Sequence, residues 1–277
     1  MYRVSKVLNN NGVIAIDMDE NKEYVILGKG VGFGKKVSQR FDKPEGCTTY
    51  RLEQETERGS AKELVKGIEP EYLEIADAIL TESQKVFGDS IDRRILFPLA
   101  DHISFAVARI RRNEQISNPL TEDIKVLFYS EFKVAETLKT ILRERLQIEI
   151  DDHEVGYVAL HIHSAIGDEK VSVAMQTARA VRECIDMIEK ATGKPIDVLS
   201  LSYNRLMNHM KYMVARASTG EKLNLDMNEY MLDQYPQAYK VATDICKNLE
   251  GCIGHNLDET ETGYLAMHIQ RVYKDAV

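Results

Sequence analysis

The chain has 277 residues, 44% apolar and 29% charged, with a formal net charge of −8. That length suits two or three domains of ordinary size. No apolar run approaches the roughly eighteen residues that a bilayer requires, so membrane insertion is not expected. Met1-Tyr2-Arg3-Val4 leads into no apolar signal segment, and a cytoplasmic protein is expected. The cysteines Cys47, Cys184, Cys246 and Cys252 are scattered, form no C-x-x-C pair and have no histidine at zinc-finger spacing, which argues for a reducing compartment and against a structural metal.

The charge is unevenly spread. Residues 1–52 hold nine Lys/Arg and six Asp/Glu, a balance of +3, while the rest hold 27 and 38, a balance of −11. A basic start on an acidic body places any nucleic-acid binding in the first fifty or so residues. This segment reads as short antiparallel strands, Tyr2 to Leu8, Val13 to Met18 and Glu23 to Leu27. Turn residues separate them, and Asn11-Gly12 is the strongest hairpin signal. A fourth strand around Thr48 to Leu52 would complete the meander. So small a sheet buries little apolar area and is expected to dimerise or lean on a partner.

The stretch from Gln54 to Glu69 is rich in charge, contains Gly59-Ser60 and reads as a linker or linker helix. From about Glu71 the spacing becomes helical, and Asp123 to Gln147 and Val171 to Lys190 lack Gly and Pro entirely. Sliding the chain by 107 residues aligns 102–163 with 209–270 without a gap, with 17 of 62 positions identical. Val107-Ala108-Arg109 meets Val214-Ala215-Arg216, Lys133-Val134-Ala135 meets Lys240-Val241-Ala242, and Glu154-x-Gly156-Tyr157-x-Ala159-x-His161-Ile162 meets Glu261-x-Gly263-Tyr264-x-Ala266-x-His268-Ile269. A helical domain of about a hundred residues is therefore duplicated. The expected architecture is multidomain and mainly α: a small N-terminal antiparallel β domain (1–55), a linker (56–70) and two homologous all-α helical-bundle domains (71–170 and 171–277).

The repeat sorts the seven histidines. His102 maps on His209 and His161 on His268, whereas His153, His163 and His255 have no histidine counterpart. Residues alone leave three readings open. A half-buried imidazole can be a structural hydrogen-bonding group. A metal pair such as His161 and His163 is disfavoured, because residues two apart on a helix point about 200° apart. A metal-phosphohydrolase would want a His-Asp dyad, and Asp101-His102 runs in the reverse order. A neutral imidazole can also accept a phosphoryl group near pH 7 and carry new charge into a helix interface.

Six short motifs in order resemble the BglG/SacY-type antiterminator family over essentially the whole chain. Lys6-Val7-Leu8-Asn9-Asn10-Asn11 and Gly28-Lys29-Gly30-Val31-Gly32-Phe33-Gly34-Lys35-Lys36 look like the signatures of its co-antiterminator RNA-binding domain. Asp101-His102-Ile103-Ser104-Phe105-Ala106, Ala159-Leu160-His161-Ile162, Asn208-His209-Met210-Lys211-Tyr212 and Ala266-Met267-His268-Ile269-Gln270-Arg271 look like the histidine motifs of its paired PTS regulation domains. Leu8-Asn9-Asn10-Asn11, the run from Gly28 to Lys36 and Ala159-Leu160-His161-Ile162-His163-Ser164-Ala165 look closest to the glucose-type branch, whereas Met267-His268-Ile269-Gln270 resembles the general family pattern.

The resemblance implies a non-enzymatic homodimer that binds an mRNA leader hairpin and prevents terminator formation upstream of sugar-uptake genes. It makes His102, His161, His209 and His268 phosphorylation sites, served by HPr and a sugar-specific enzyme II. It makes Lys6, Asn9, Asn10, Asn11, Gly28, Lys29, Gly30, Phe33, Lys35 and Lys36 the RNA face, with Phe33 free to stack on a base and the lysines to meet phosphates. No catalytic residue, metal or cofactor is implied. The glycine-rich run lacks both the Lys-Ser/Thr ending of a P-loop and G-x-G-x-x-G spacing, so nucleotide binding is not expected. On periodicity alone that run would be a glycine-rich hairpin with a core phenylalanine. The rival class is a metal-dependent phosphohydrolase or phosphocarrier built on the four repeated histidines, which would leave the basic β module without a purpose.

Overall fold

A computed structural model describes residues 1–52, 55–56, 59–114, 116–167, 170–193, 195–197 and 200–275. Residues 53–54 and 57–58, in and beside the expected linker, lie outside the described residues. Contacts divide the chain into two compact units: Met1–Asn118 with Ser130–Lys170, and Pro119–Tyr129 with Val171–Val277. No described helix is long and apolar enough to cross a membrane.

The first unit begins with an antiparallel sheet in the order β4-β1-β2-β3-β5, formed by β1 (Tyr2–Asn9), β2 (Gly12–Asp17), β3 (Lys22–Leu27), β4 (Arg40–Phe41) and β5 (Thr48–Arg51). Alternation in the sequence sends Val4, Val13, Ala15 and Ile26 to one buried face, where Val31, Phe41 and Cys47 close over them. The short β4 has no alternation of its own to announce it. It is held on the edge by the pairs Tyr2↔Phe41 and Arg3↔Arg40. The first hairpin turns one residue earlier than Asn11-Gly12 suggests. Asn9 pairs with Gly12, so Asn10 and Asn11 make the turn and Gly12 is already in β2, opposite Leu27. The Asn9 side chain accepts from the Asn11 N–H at 2.8 Å, an Asx turn that replaces the glycine-based geometry.

In and beside the expected linker stand β6 (Glu55–Thr56), β7 (Gly59–Ser60) and the helix α1 (Ala61–Gly67). Helix α2 (Pro70–Phe87) starts with Pro70 in its first turn and ends at Gly88, φ 63°. It packs on α3 (Leu96–Arg111), with α6 (Thr137–Leu146) and α7 (Asp152–Gly167) alongside. Leu73, Ala76, Ile79, Leu80, Phe97 and Ile103 are fully buried, as the 3.6-residue periodicity requires. Tyr50 of β5 fixes the sheet to this bundle: its hydroxyl donates to Asp77 and accepts from Arg93 at 2.7 Å.

The second unit holds α8 (Val171–Thr192), α9 (Leu201–Thr219), α10 (Asn228–Gln234), α11 (Pro236–Ile253) and α12 (Thr260–Asp275), joined by α4 (Thr121–Leu127). The 107-residue offset maps α4 onto α10 residue for residue. It maps α5 (Tyr129–Ala135) together with α6 onto the unbroken α11. The two short helices nevertheless pack differently. α10 lies on α11 and α12 of its own repeat, whereas α4 packs on α8 and α9, with the Tyr203 hydroxyl donating to buried Asp123 at 3.1 Å. Gly263 lets α12 approach α10 closely, since a Cβ there would lie 2.7 Å from the Asn228 backbone nitrogen.

Candidate functional sites

One end of the sheet gathers the hairpin turn and the glycine-rich loop. The Gly28 N–H donates to the Asn11 carbonyl, the Gly32 N–H to the Asn10 carbonyl (2.9 Å each) and the Gly30 N–H to Asn11 Oδ1 at 3.0 Å. Gly32 permits this approach. A Cβ there would stand 2.0 Å from the Asn9 carbonyl oxygen, although nothing in the sequence sets Gly32 apart from the other glycines of the run. The glycines thus bring two segments of the same chain together. Gly28 lies against Cys47, and Gly30 adopts φ 75°. Lys6, Asn10, Lys29 and Lys36 are exposed, as is Phe33 at 74%, which is not a core phenylalanine. Lys35 lies 4.8 Å over the Phe41 ring. The Asn9 and Asn11 amides do not face solvent freely: both donate to the carboxylate of Glu74 on α2, at 2.6 and 3.2 Å.

The four repeated histidines form two pairs, each made by residues 59 apart in sequence. In the first unit His102 on α3 faces His161 on α7, ring centroids 5.2 Å apart. In the second His209 on α9 stacks on His268 of α12 at 4.8 Å and 24°. The helix period sets the rest of each site. Glu154, Tyr157 and His161 stand at i, i+3 and i+7 on α7, as do Glu261, Tyr264 and His268 on α12. Glu154 Oε2 is 3.6 Å from His102 Nε2, and Arg109 donates to its other oxygen at 2.8 Å. Glu261 repeats this at 3.7 Å from His209 Nε2, but Arg216 grips it with two hydrogen bonds of 2.6 and 3.0 Å. Glu154/Glu261 and Arg109/Arg216 stood among the identities of the repeat. Their shared retention was the signal for a role beside the histidines.

The electrostatics favour neutral rings in the second pair. Burial, with His268 and Arg216 nearby, pushes the His209 pKa down to about 3. Burial, with Arg271 and Arg205, pushes His268 down to about 4. In the first site burial pushes the Glu154 carboxyl up, but His102 and Arg109 outweigh it and hold it below the usual range. His209 Nε2 and His268 Nδ1 are buried without hydrogen-bond partners. An open cleft of about 360 Å³, lined by Arg205, Asn208, His209, Arg216 and His268 among others, leads to the second pair.

Two of the three unrepeated histidines make contacts of another kind. His163 Nδ1 contacts Glu131 at 2.9 Å, and His153 Nδ1 meets the Asn118 backbone. His161 and His163 lie on one α-helix, so their rings diverge as the spacing implied. Neutral, partly accessible imidazoles can attack a phosphoryl donor, and a phosphate added between α9 and α12 puts nearly two negative charges at a helix interface.

Residues 2–59 match the family model of the CAT RNA binding domain, and residues 77–165 and 182–272 each match that of the PRD domain. The GlcA/glcB genes antiterminator of Staphylococcus carnosus (strain TM300) is 30% identical over 274 residues, covering 97% of this chain and 94% of its own length. Transcription antiterminator LicT of Bacillus subtilis (strain 168) is 27% identical over 278 residues, with 99% and 100% covered. Among solved structures, the crystal structure of GlcT CAT-PRDI is similar with a TM-score of 0.52 and 29% identity, over 60% of this chain and 98% of that one.

Proposed function

The chain belongs to the BglG/SacY family of transcription antiterminators and to its GlcT-like branch, and we propose how its two kinds of site divide the work. The protein is an RNA-binding antiterminator. Its N-terminal sheet domain, as a homodimer, binds an mRNA leader hairpin and keeps a terminator from forming upstream of sugar-uptake genes. Asn9, Asn10 and Asn11 offer amides to base edges, Phe33 a stacking surface, and Lys6, Lys29, Lys35 and Lys36 charge to the backbone. The helical domains are the control elements. His102, His161, His209 and His268 accept phosphoryl groups from HPr or a sugar-specific enzyme II, and the added charge changes helix packing.

The observation that carries this reading is the same His-His-Glu-Arg-Tyr group built twice, 107 residues apart, on a chain whose first sixty residues match an RNA-binding family. A catalytic centre has no need of two such copies, whereas a receiver of two signals does. The test has two parts. The full chain should shift a leader hairpin RNA in a gel, with affinity falling steeply as salt rises. Mass spectrometry after incubation with phosphorylated HPr and the cognate enzyme II should find acid-labile phosphate on one or more of the four histidines. No RNA shift, or phosphate only elsewhere, would refute the corresponding half.

A further inference from the structure

The two histidine sites share their frame but not their charge. Arg205 on α9 lines the same cleft as His268, and Arg271 follows His268 by three residues on α12, a spacing that sets neighbours on one helix face; both lower the affinity of His268 for a proton. Both are exposed, and neither is ion-paired among the described residues. Arg216, by contrast, is spent on Glu261. The offset puts Pro98 where Arg205 stands and Ser164 where Arg271 stands, and Asp101 where the second site has Asn208. At these three positions the second repeat therefore carries two additional cations and one fewer anion.

We propose that Arg205 and Arg271 hold the phosphoryl group carried by His268, making the second site the one that retains phosphate. This rests on reading the repeated histidines as phosphoacceptors. A phosphoryl group brings nearly two negative charges and three acceptor oxygens, and two arginines present a matching charge with planar donors. The neutral ring supplies the lone pair that forms the new phosphorus–nitrogen bond and keeps its own N–H proton. The donor's phosphorus–nitrogen bond breaks, and its nitrogen leaves with that electron pair. The positions equivalent to these arginines in the first repeat hold Pro98 and Ser164, neither of them a cation.

The test uses the full chain and phosphoramidate, a small donor whose leaving group is ammonia. Wild type, the double variant R205Q/R271Q and the charge-conserving R205K/R271K are phosphorylated, freed of donor and followed by mass spectrometry at each histidine. The glutamine variant should lose phosphate from His268 at least about fivefold faster than wild type, with lysine partly restoring retention and His161 unchanged. Both arginines are exposed, and circular dichroism verifies that the variants fold. Equal lifetimes at His268 in wild type and the glutamine variant would overturn the proposal. Absence of phosphate from all four wild-type histidines would overturn the phosphoacceptor reading and this inference with it.

The contact at the RNA face carries a second, independent inference: we infer that Glu74 is an internal competitor of RNA. Its carboxylate takes the amide donors of both Asn9 and Asn11, and Arg145 on α6 faces it from 3.5 Å. RNA phosphates and base carbonyls are the same class of acceptor, so RNA must displace Glu74 to reach those amides. In gel shifts with a leader hairpin RNA at fixed salt, the full-length E74Q variant should bind several-fold more tightly than wild type, and N9A/N11A should bind more weakly. Unchanged or weakened binding by E74Q, with N9A/N11A impaired, would overturn the competitor role. Unchanged binding by N9A/N11A would overturn the assignment of these asparagines to RNA and the competitor role together.

Discussion

Acid should unlock the second helical domain through His209. The folded ring takes a proton only near pH 3, whereas its ordinary value is 6.5. Between those values the unfolded chain binds the extra proton. Stability drawn from this ring is complete above pH 6.5, falls as the pH drops and is exhausted near 3. At pH 5 the loss is about 2 kcal/mol for His209. His268 is also depressed, to about 4, but it is more exposed and contributes less. The carboxylate that faces His209, Glu261, is already neutralised by Arg216, so it does not rescue the charged ring. Two measurements check this. The C2 proton of His209 in NMR should show no titration above pH 5. Wild type should lose roughly 2 kcal/mol more stability than His209→Asn between pH 7.5 and 5, in denaturant melts of the second unit's transition. A ring that titrates near 6.5, or equal losses in both proteins, would refute the account of a buried neutral imidazole.

Three further outcomes follow from the same geometry. Glu261→Ala leaves Arg216 without its two hydrogen bonds beside a buried ring and should cost roughly 3 kcal/mol, seen as a lower urea midpoint; a change under 1 kcal/mol would deny the pair a structural part. Gly32→Ala drives a Cβ against the Asn9 carbonyl oxygen, so the turn and the loop must separate. RNA affinity should then fall at least about tenfold, a cost of roughly 1.4 kcal/mol or more, in gel-shift titration. Burial pushes the Cys184 thiol up to about 12 and Cys246 up to about 11, whereas Cys252 is exposed. Cys252 should therefore react first with a thiol reagent at pH 7.5, and Cys184 and Cys246 only on unfolding.

Much of this protein was legible in its sequence because the signals are local or repeated. Two-residue alternation gives β1 to β3, and 3.6-residue spacing gives the long helices, since each follows from neighbours along the chain. The duplication picked four histidines from seven without any reference to their surroundings. It also kept Glu154/Glu261 and Arg109/Arg216 in view, though nothing local says that a carboxylate seven residues before a histidine touches a second histidine on another helix. That depends on the crossing of α3 with α7 and of α9 with α12, which packing decides. Tertiary structure alone supplied β4, whose two residues are held by a distant strand, and the turn at Asn10-Asn11, where the Asn9 side chain overrides a glycine preference. It alone supplied the different packing of α4 and α10, helices that the offset superimposes. Above all it brought Glu74 onto Asn9 and Asn11 across more than sixty residues of chain. Sequence determined which side chains are repeated; the meeting of helices and sheet decided which of them touch, because contact between distant residues depends on three-dimensional packing and not on spacing along the chain.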